Sequence, residues 1–288
     1  MTEARAFAKL TLRLRVLGTR ADGYHDLEAL AVSLGQPHDA LEVDPTESPG
    51  VALVVVGGDD DVPGDEENLA ARAAGRLLEH AGTDRGVSLT LTKRIPAGAG
   101  LGGGSADAAA ALAATRAALD LPVRDDELAG LAADLGSDIP FCLRGGAAWM
   151  RGRGEVVDPV DLPLGLPMLL AVPPFRCATA DVYRAWDELG APRSERAVPA
   201  PASIASVVPE LVNDLEPAAE VVAPGLAEFR QRLEAAAGRP ALLAGSGSAF
   251  VVPLDEARSL PEVAIEVSGR FGAEVVPTAT VSRGVRLG

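Results

Sequence analysis

The sequence predicts an α+β protein in two domains, and three observations carry that reading. Short segments of alternating apolar and polar residues are interspersed with helix-like stretches. No strand-helix-strand unit can be drawn around the glycine-rich loop at 96–105, which argues against a dinucleotide-binding unit there. After a glycine-rich segment at 144–154 the composition shifts to strands punctuated by proline and to longer helices. With 288 residues the chain has room for one large core or two modest ones. The shift places a boundary near 155–165, giving domains 1–158 and 159–288.

The elements follow in chain order. From Ala8 to Val16 the pattern K-L-T-L-R-L-R-V alternates strictly and reads as a half-buried strand ending at Gly18. Arg20 to His25 is turn chemistry around Asp22-Gly23, and the apolar run Leu27 to Leu34 returns as a hairpin. Leu41 to Val43 and Val51 to Val56 read as further strands, followed by an acidic solvated loop from Gly57 to Glu67. Asn68 is placed to cap a helix that stops at Gly82. Val87 to Lys93 alternates again. It feeds a glycine-rich loop at 96–105, a helix over 106–119, a second helix over 125–135 and the turn Gly136-Ser-Asp-Ile-Pro-Phe141. Beyond the boundary, strands or helices are expected at 166–172, 179–189, 224–237, 241–244, 249–253 and 261–271. There is no solenoid-length repeat.

Composition narrows the function classes. With 26 basic and 41 acidic residues the net charge is −15, which disfavours sequence-independent nucleic-acid binding and offers no basic face to an anionic membrane. The N-terminus lacks the continuous apolar core of a signal peptide. Val51–Val56 and Gly165–Val172, the longest apolar stretches, fall far short of the ~20 residues needed to span a bilayer. A cytoplasmic protein is expected, with a small-molecule partner, as a monomer or homodimer. Cys142 and Cys177 read as small buried hydrophobes, and His38 and His80 as surface residues. Only Lys9 and Lys93 are lysines and only Tyr24 and Tyr183 are tyrosines, so their positions are informative.

The strongest chemical signal is Pro96-Ala97-Gly98-Ala99-Gly100-Leu101-Gly102-Gly103-Gly104-Ser105-Ala106. Five glycines between a strand and a helix let the backbone approach an anion closely, and the helix N-terminus behind them supplies unpaired N–H groups and partial positive charge. That suits a polyphosphate. It is not a Walker A loop, because no G-K-[ST] follows. Gly98, Gly100 and Gly103 fit the dinucleotide string, but Asp120 closes the same helix instead of ending a second strand. Ser105 either caps the helix or reaches a metal or phosphate. Asp107 complements the helix dipole, and Lys93 is either an exposed strand end or a contact to an outer phosphate.

The loop resembles the ATP-binding loop of the GHMP kinases, the family of galactokinase, homoserine kinase and mevalonate kinase. Ala8-Lys9-Leu10-Thr11-Leu12, Asp22-Gly-Tyr-His-Asp-Leu27, Gly136-Ser-Asp-Ile-Pro-Phe141, Asn213-Asp-Leu-Glu216 and Gly245-Ser-Gly-Ser248 narrow the likeness to the branch acting on a diphosphocytidyl alcohol. The likeness runs over nearly the whole chain, in order. It implies an N-terminal ATP domain like ribosomal protein S5 and a ferredoxin-like C-terminal domain. The implied reaction is ATP- and Mg²⁺-dependent phosphorylation of the 2-hydroxyl of 4-diphosphocytidyl-2-C-methyl-D-erythritol, in the non-mevalonate route to isoprenoid precursors. The resemblance makes Asp138 the general base and Lys9 its cationic neighbour, with residues 96–106 on the nucleotide and Ser105 at the metal. It places Tyr24 and Tyr183 about the cytosine ring, His25 on its edge, and Thr11, Gly245 and Ser246 on the substrate side. Thr11 stands where the family usually has Asn, and residues 29–38 lack the aromatic and aspartate expected after the hairpin. Rival readings are a mevalonate- or homoserine-type kinase and a nucleotide-binding regulator without catalysis.

Overall fold

The N-terminal alternation folds into one long hairpin. The computed structural model describes residues 1–58, 62–162, 164–191, 212–254, 268 and 272–288. In it β1 (Thr2–Thr19) and β2 (His25–Thr46) pair antiparallel around the Asp22-Gly23 turn, where Gly23 takes φ +83°. The strands expected at 27–34 and 41–43 are therefore one. A register shift hides that continuity: Phe7 faces His38 while Ala8 faces Leu34, so Gly35 to Pro37 bulge from the ladder.

Residues 8–14 of β1 are buried on both faces, not on one as the alternation suggests. Ala8, Leu10 and Leu12 enter the larger hydrophobic core. Lys9 and Thr11, on the opposite face, form the floor of a cleft.

The sheet widens on both sides of the hairpin. β4 (Gly86–Lys93) pairs with one stretch of β2 and carries β3 (Val51–Gly57) parallel to it; β5 (Ala147–Gly152) pairs with another stretch of β2 and carries β6 (Val156–Pro159). Four helices pack beside it: α1 (Leu69–Ala81), α2 (Gly103–Ala118), α3 (Asp125–Leu135) and α4 (Ile139–Arg144). Asn68 caps α1 as expected, its side chain accepting from Ala70 N at 2.9 Å, and Gly82 closes it in the left-handed conformation. α2 buries an unbroken run from Ala106 to Leu112. Small side chains let its backbone sit close to both α1 and the sheet.

The second half builds four strands backed by helices. β7 (Pro167–Val172), β10 (Phe250–Pro253), β9 (Leu242–Leu243) and β11 (Glu274–Val281) form an antiparallel array in the order β9-β10-β7-β11. Leu169, Ala171, Phe250 and Val252 face a second core with α5 (Thr179–Glu188), α6 (Glu216–Val222) and α7 (Gly225–Ala237). Met168, Leu170 and Val251 on the other face join the first core. With both faces covered, these strands read as apolar runs.

The chain crosses back repeatedly. β11 reaches β2 at Thr280 and Val281, β12 (Val285–Leu287) joins β1, and β8 (Val212–Asn213) runs parallel to β1. Strands β5, β6, β8, β11 and β12 and helices α4 and α6 extend the expected set. All but one residue of the element expected at 261–271 lie outside the described residues.

Candidate active site

A cleft of about 820 Å³ brings β1, the glycine-rich loop, α5 and the 244–249 turn together. The loop is built from backbone. Gly98, Gly100 and Gly102 have φ of +67°, +76° and +66°, conformations that an L side chain resists. Gly102 is the N-cap of α2 and offers no side-chain cap, so the first N–H groups of the helix remain open. Gly103 and Gly104 already belong to α2, which starts three residues earlier than the pattern suggests. Ser105 follows in the first turn and lines the cleft, as do Pro96 and residues 98–102. Ala106 is buried beneath them and Ala97 is half-buried.

Two backbone bonds fix the loop from opposite sides. Lys9 N donates to Leu101 O at 2.9 Å, and Ala249 N donates to Ala99 O at 3.2 Å. Gly100 packs so tightly there that a Cβ on it would lie 1.9 Å from Ala244 O.

Lys9 and Asp138, 129 residues apart, meet in this cleft with Lys9 Nζ donating to Asp138 Oδ2 at 2.8 Å. β1 aims the lysine, and Asp138 sits at the N-cap of α4 without spending its carboxylate on a capping bond. The turn expected around Asp138 is thus the start of a short helix. Asp138 keeps 33% side-chain exposure and Lys9 10%, so the pair is reachable but shielded. Thr11 lies two residues further along the same strand face, buried, on the cleft floor.

The side opposite the loop is made of side chains. His25 stacks on Tyr183 with ring centroids 4.7 Å apart and meets Trp186 edge-on at 5.5 Å. His25 Nε2 lies 3.0 Å from Asp187 Oδ1. Burial, and secondarily the charge of Asp138, pushes the Tyr183 phenol upward, keeping it neutral. Tyr24 is 54% exposed, and the Arg153 guanidinium covers its ring at 5.0 Å. Tyr183 therefore stacks on His25 in this structure. Gly245 and Ser246 line the cleft. Ser246 Oγ lies 3.0 Å from Thr179 Oγ1, and Asn213 donates to Gly245 O at 2.6 Å.

Lys93 corrects the sequence reading. It is neither an exposed strand end nor a phosphate contact: its ammonium is buried behind the loop, 2.5 Å from both Asp39 Oδ2 and Asp107 Oδ2. Asp39 Oδ1 also accepts from the N–H groups of Arg94 and Ile95. Burial works against the ammonium, but the two carboxylates outweigh it and raise the Lys93 pKa. Burial raises Asp107 well above the usual carboxylate range, opposed by Lys93 and reinforced by Asp39. Asp107 thus serves an ion cluster and not simply the helix dipole. His38 is half-buried against Phe7, with its ring nitrogen 3.1 Å from Gly35 O, whereas His80 is exposed as expected. Both cysteines are buried as expected.

Arg153, Asp187, Asp39 and Asn213 were not singled out from sequence. The one available signal was Asn213, which falls in a quoted segment.

Residues 68–146 match the family model described as GHMP kinases N terminal domain, a span that holds the whole loop and Asp138. That match defines the class as a small-molecule kinase fold. The 4-diphosphocytidyl-2-C-methyl-D-erythritol kinase of Pelotomaculum thermopropionicum is 42% identical over 249 residues, covering 85% of this chain and 86% of that protein. A crystal structure of 4-(cytidine 5'-diphospho)-2C-methyl-D-erythritol kinase has a TM-score of 0.77 at 37% identity, covering 96% of this chain and 98% of that one. Homoserine kinase from Cytophaga hutchinsonii shares the fold at a TM-score of 0.75 and 19% identity, over 99% of this chain and 96% of that one. The chain belongs to the 4-diphosphocytidyl-2-C-methyl-D-erythritol kinase family of the GHMP kinases. As a GHMP kinase it takes ATP as co-substrate. Among the described residues no helix is long and apolar enough to cross a membrane.

Proposed function

We propose that this enzyme transfers the γ-phosphoryl group of ATP to the 2-hydroxyl of 4-diphosphocytidyl-2-C-methyl-D-erythritol, a step toward isoprenoid precursors. The carrying observation is the Lys9–Asp138 pair at 2.8 Å, in a cleft with a backbone phosphate cradle on one side and an aromatic shelf on the other. ATP is read onto residues 96–106 and the cytosine onto Tyr24, His25 and Tyr183, with Thr11, Gly245 and Ser246 on the substrate side. Residues 1–158 then form the ATP-binding and catalytic domain and 159–288 the substrate-side domain.

Asp138 accepts the proton of the 2-hydroxyl as its oxygen attacks the γ-phosphorus in line. The new P–O bond forms as the bond to the β-γ bridging oxygen breaks and ADP leaves. Lys9 orients Asp138 and balances its charge. The open N–H groups at the start of α2 stabilise charge on the phosphates.

Among the described residues no three His, Cys, Asp or Glu side chains cluster to hold a metal. Ser105, in the first turn of α2 and on the cleft wall, is the hard oxygen donor that would hold Mg²⁺ beside the phosphates. When bound, the ion supplies charge neutralisation.

The test is an ATP-dependent phosphorylation assay with the diphosphocytidyl substrate beside mevalonate and homoserine. Product from the first alone is expected. Turnover of another alcohol without it would retain a GHMP kinase and discard this substrate.

A further inference from the structure

Helix α5 grips the His25 imidazole at three points. Tyr183 and Asp187 lie four residues apart on one helix face. Tyr183 stacks on the ring, while Asp187 Oδ1 lies 3.0 Å from Nε2 and also accepts from Thr19 Oγ1 at 3.2 Å. Trp186 closes an edge. The His25 side chain is only 9% exposed, whereas that of Asp187 is 45% exposed.

An ionised carboxylate only accepts hydrogen bonds, and a neutral imidazole has one donor and one acceptor nitrogen. With Asp187 beside Nε2, that nitrogen carries the proton. Nδ1, which has no partner among the described residues, is then the ring's acceptor.

We propose that Asp187 is a specificity-determining positioning residue: by holding His25 in the Nε2–H tautomer it selects a pyrimidine with an amino group at position 4 over one with a carbonyl there. The inference rests on reading the cleft as a diphosphocytidyl site. Cytosine presents N4–H₂, which an acceptor nitrogen satisfies. Uracil presents O4, and two acceptors then face each other. Such a mismatch is discriminating because it leaves buried polar groups without a complementary partner.

The test compares CMP and UMP binding to the wild type and to Asp187→Asn. Wild type is expected to favour CMP by on the order of tenfold, the scale of one lost base-edge contact. The asparagine amide can flip to meet either tautomer. UMP should therefore tighten about tenfold while CMP changes less than about threefold, with the ratio approaching one. A wild-type ratio retained in Asp187→Asn overturns the inference and leaves the substrate assignment standing. Loss of both nucleotides with an unchanged melting temperature also overturns it, since a selector alters the ratio and not the total. A wild type that binds no CMP removes the diphosphocytidyl reading itself, and the inference with it. Independently of any variant, ¹⁵N NMR of the His25 ring should show Nε2 protonated and Nδ1 bare; the opposite tautomer refutes the proposal.

Discussion

The two walls of the cleft are made of different materials. The wall proposed to hold the phosphates is backbone: three glycines with positive φ, an uncapped helix start and two main-chain bonds that hold the loop in place. The opposite wall is side chain: an imidazole, a phenol, a guanidinium and a carboxylate arranged by the β1–β2 hairpin, α5 and the β5–β6 turn. A triphosphate looks the same in every kinase of this class, so a wall of amides serves it. A base has an edge that must be read, which takes side chains with directional donors and acceptors.

This contrast can be broken experimentally, most sharply where the walls meet. Asp138→Asn should lower kcat by about 10²- to 10⁴-fold, the usual contribution of a general base, while ATP affinity shifts less than about threefold. A near-normal rate would remove Asp138 from proton transfer. Behind the phosphate wall, Lys93→Met strands the carboxylates of Asp39 and Asp107 and should cost roughly 3–5 kcal/mol in urea unfolding. The Lys93 pKa is raised on folding, so its stabilisation is complete below the ordinary value of 10.5 and is lost as the pH rises through the higher folded-state value. Alkaline melts of the wild type should fall more steeply than those of Lys93→Met.

Gly100→Ala tests the wall itself. A methyl group aimed at Ala244 O, on a φ of +76°, should cost roughly 3 kcal/mol in stability and weaken ATP binding in parallel. The smallest effect belongs to the side-chain wall: Arg153→Ala removes a cation over an exposed ring, worth about 0.5–1 kcal/mol. It should change the KM for substrate less than about fivefold and leave that for ATP alone.

The glycine wall was largely legible in the sequence because its conformation is local. Glycines, a following helix former and a preceding strand lie within one short segment, and only the start of α2 was misplaced. Lys9 and Asp138 were found through motifs, although nothing in their spacing says that they touch. The Lys93 cluster was not legible, because a buried ion pair depends on which strand and helix pack together. Asp39 lies just beyond the Gly35–Pro37 bulge that split β2 in the sequence pattern. Asp187 is an ordinary helix acid until α5 is docked against the hairpin turn. The alternation of β1 exposed its strand character but not its double burial, which arises because one face lines the core and the other the cleft.

The loop's two anchoring bonds have a mechanical consequence. Leu101 O is held by β1 and Ala99 O by the turn before β10, so one short peptide is riveted to both halves of the molecule. Sliding one half past the other would break both bonds and distort the loop proposed to cradle ATP.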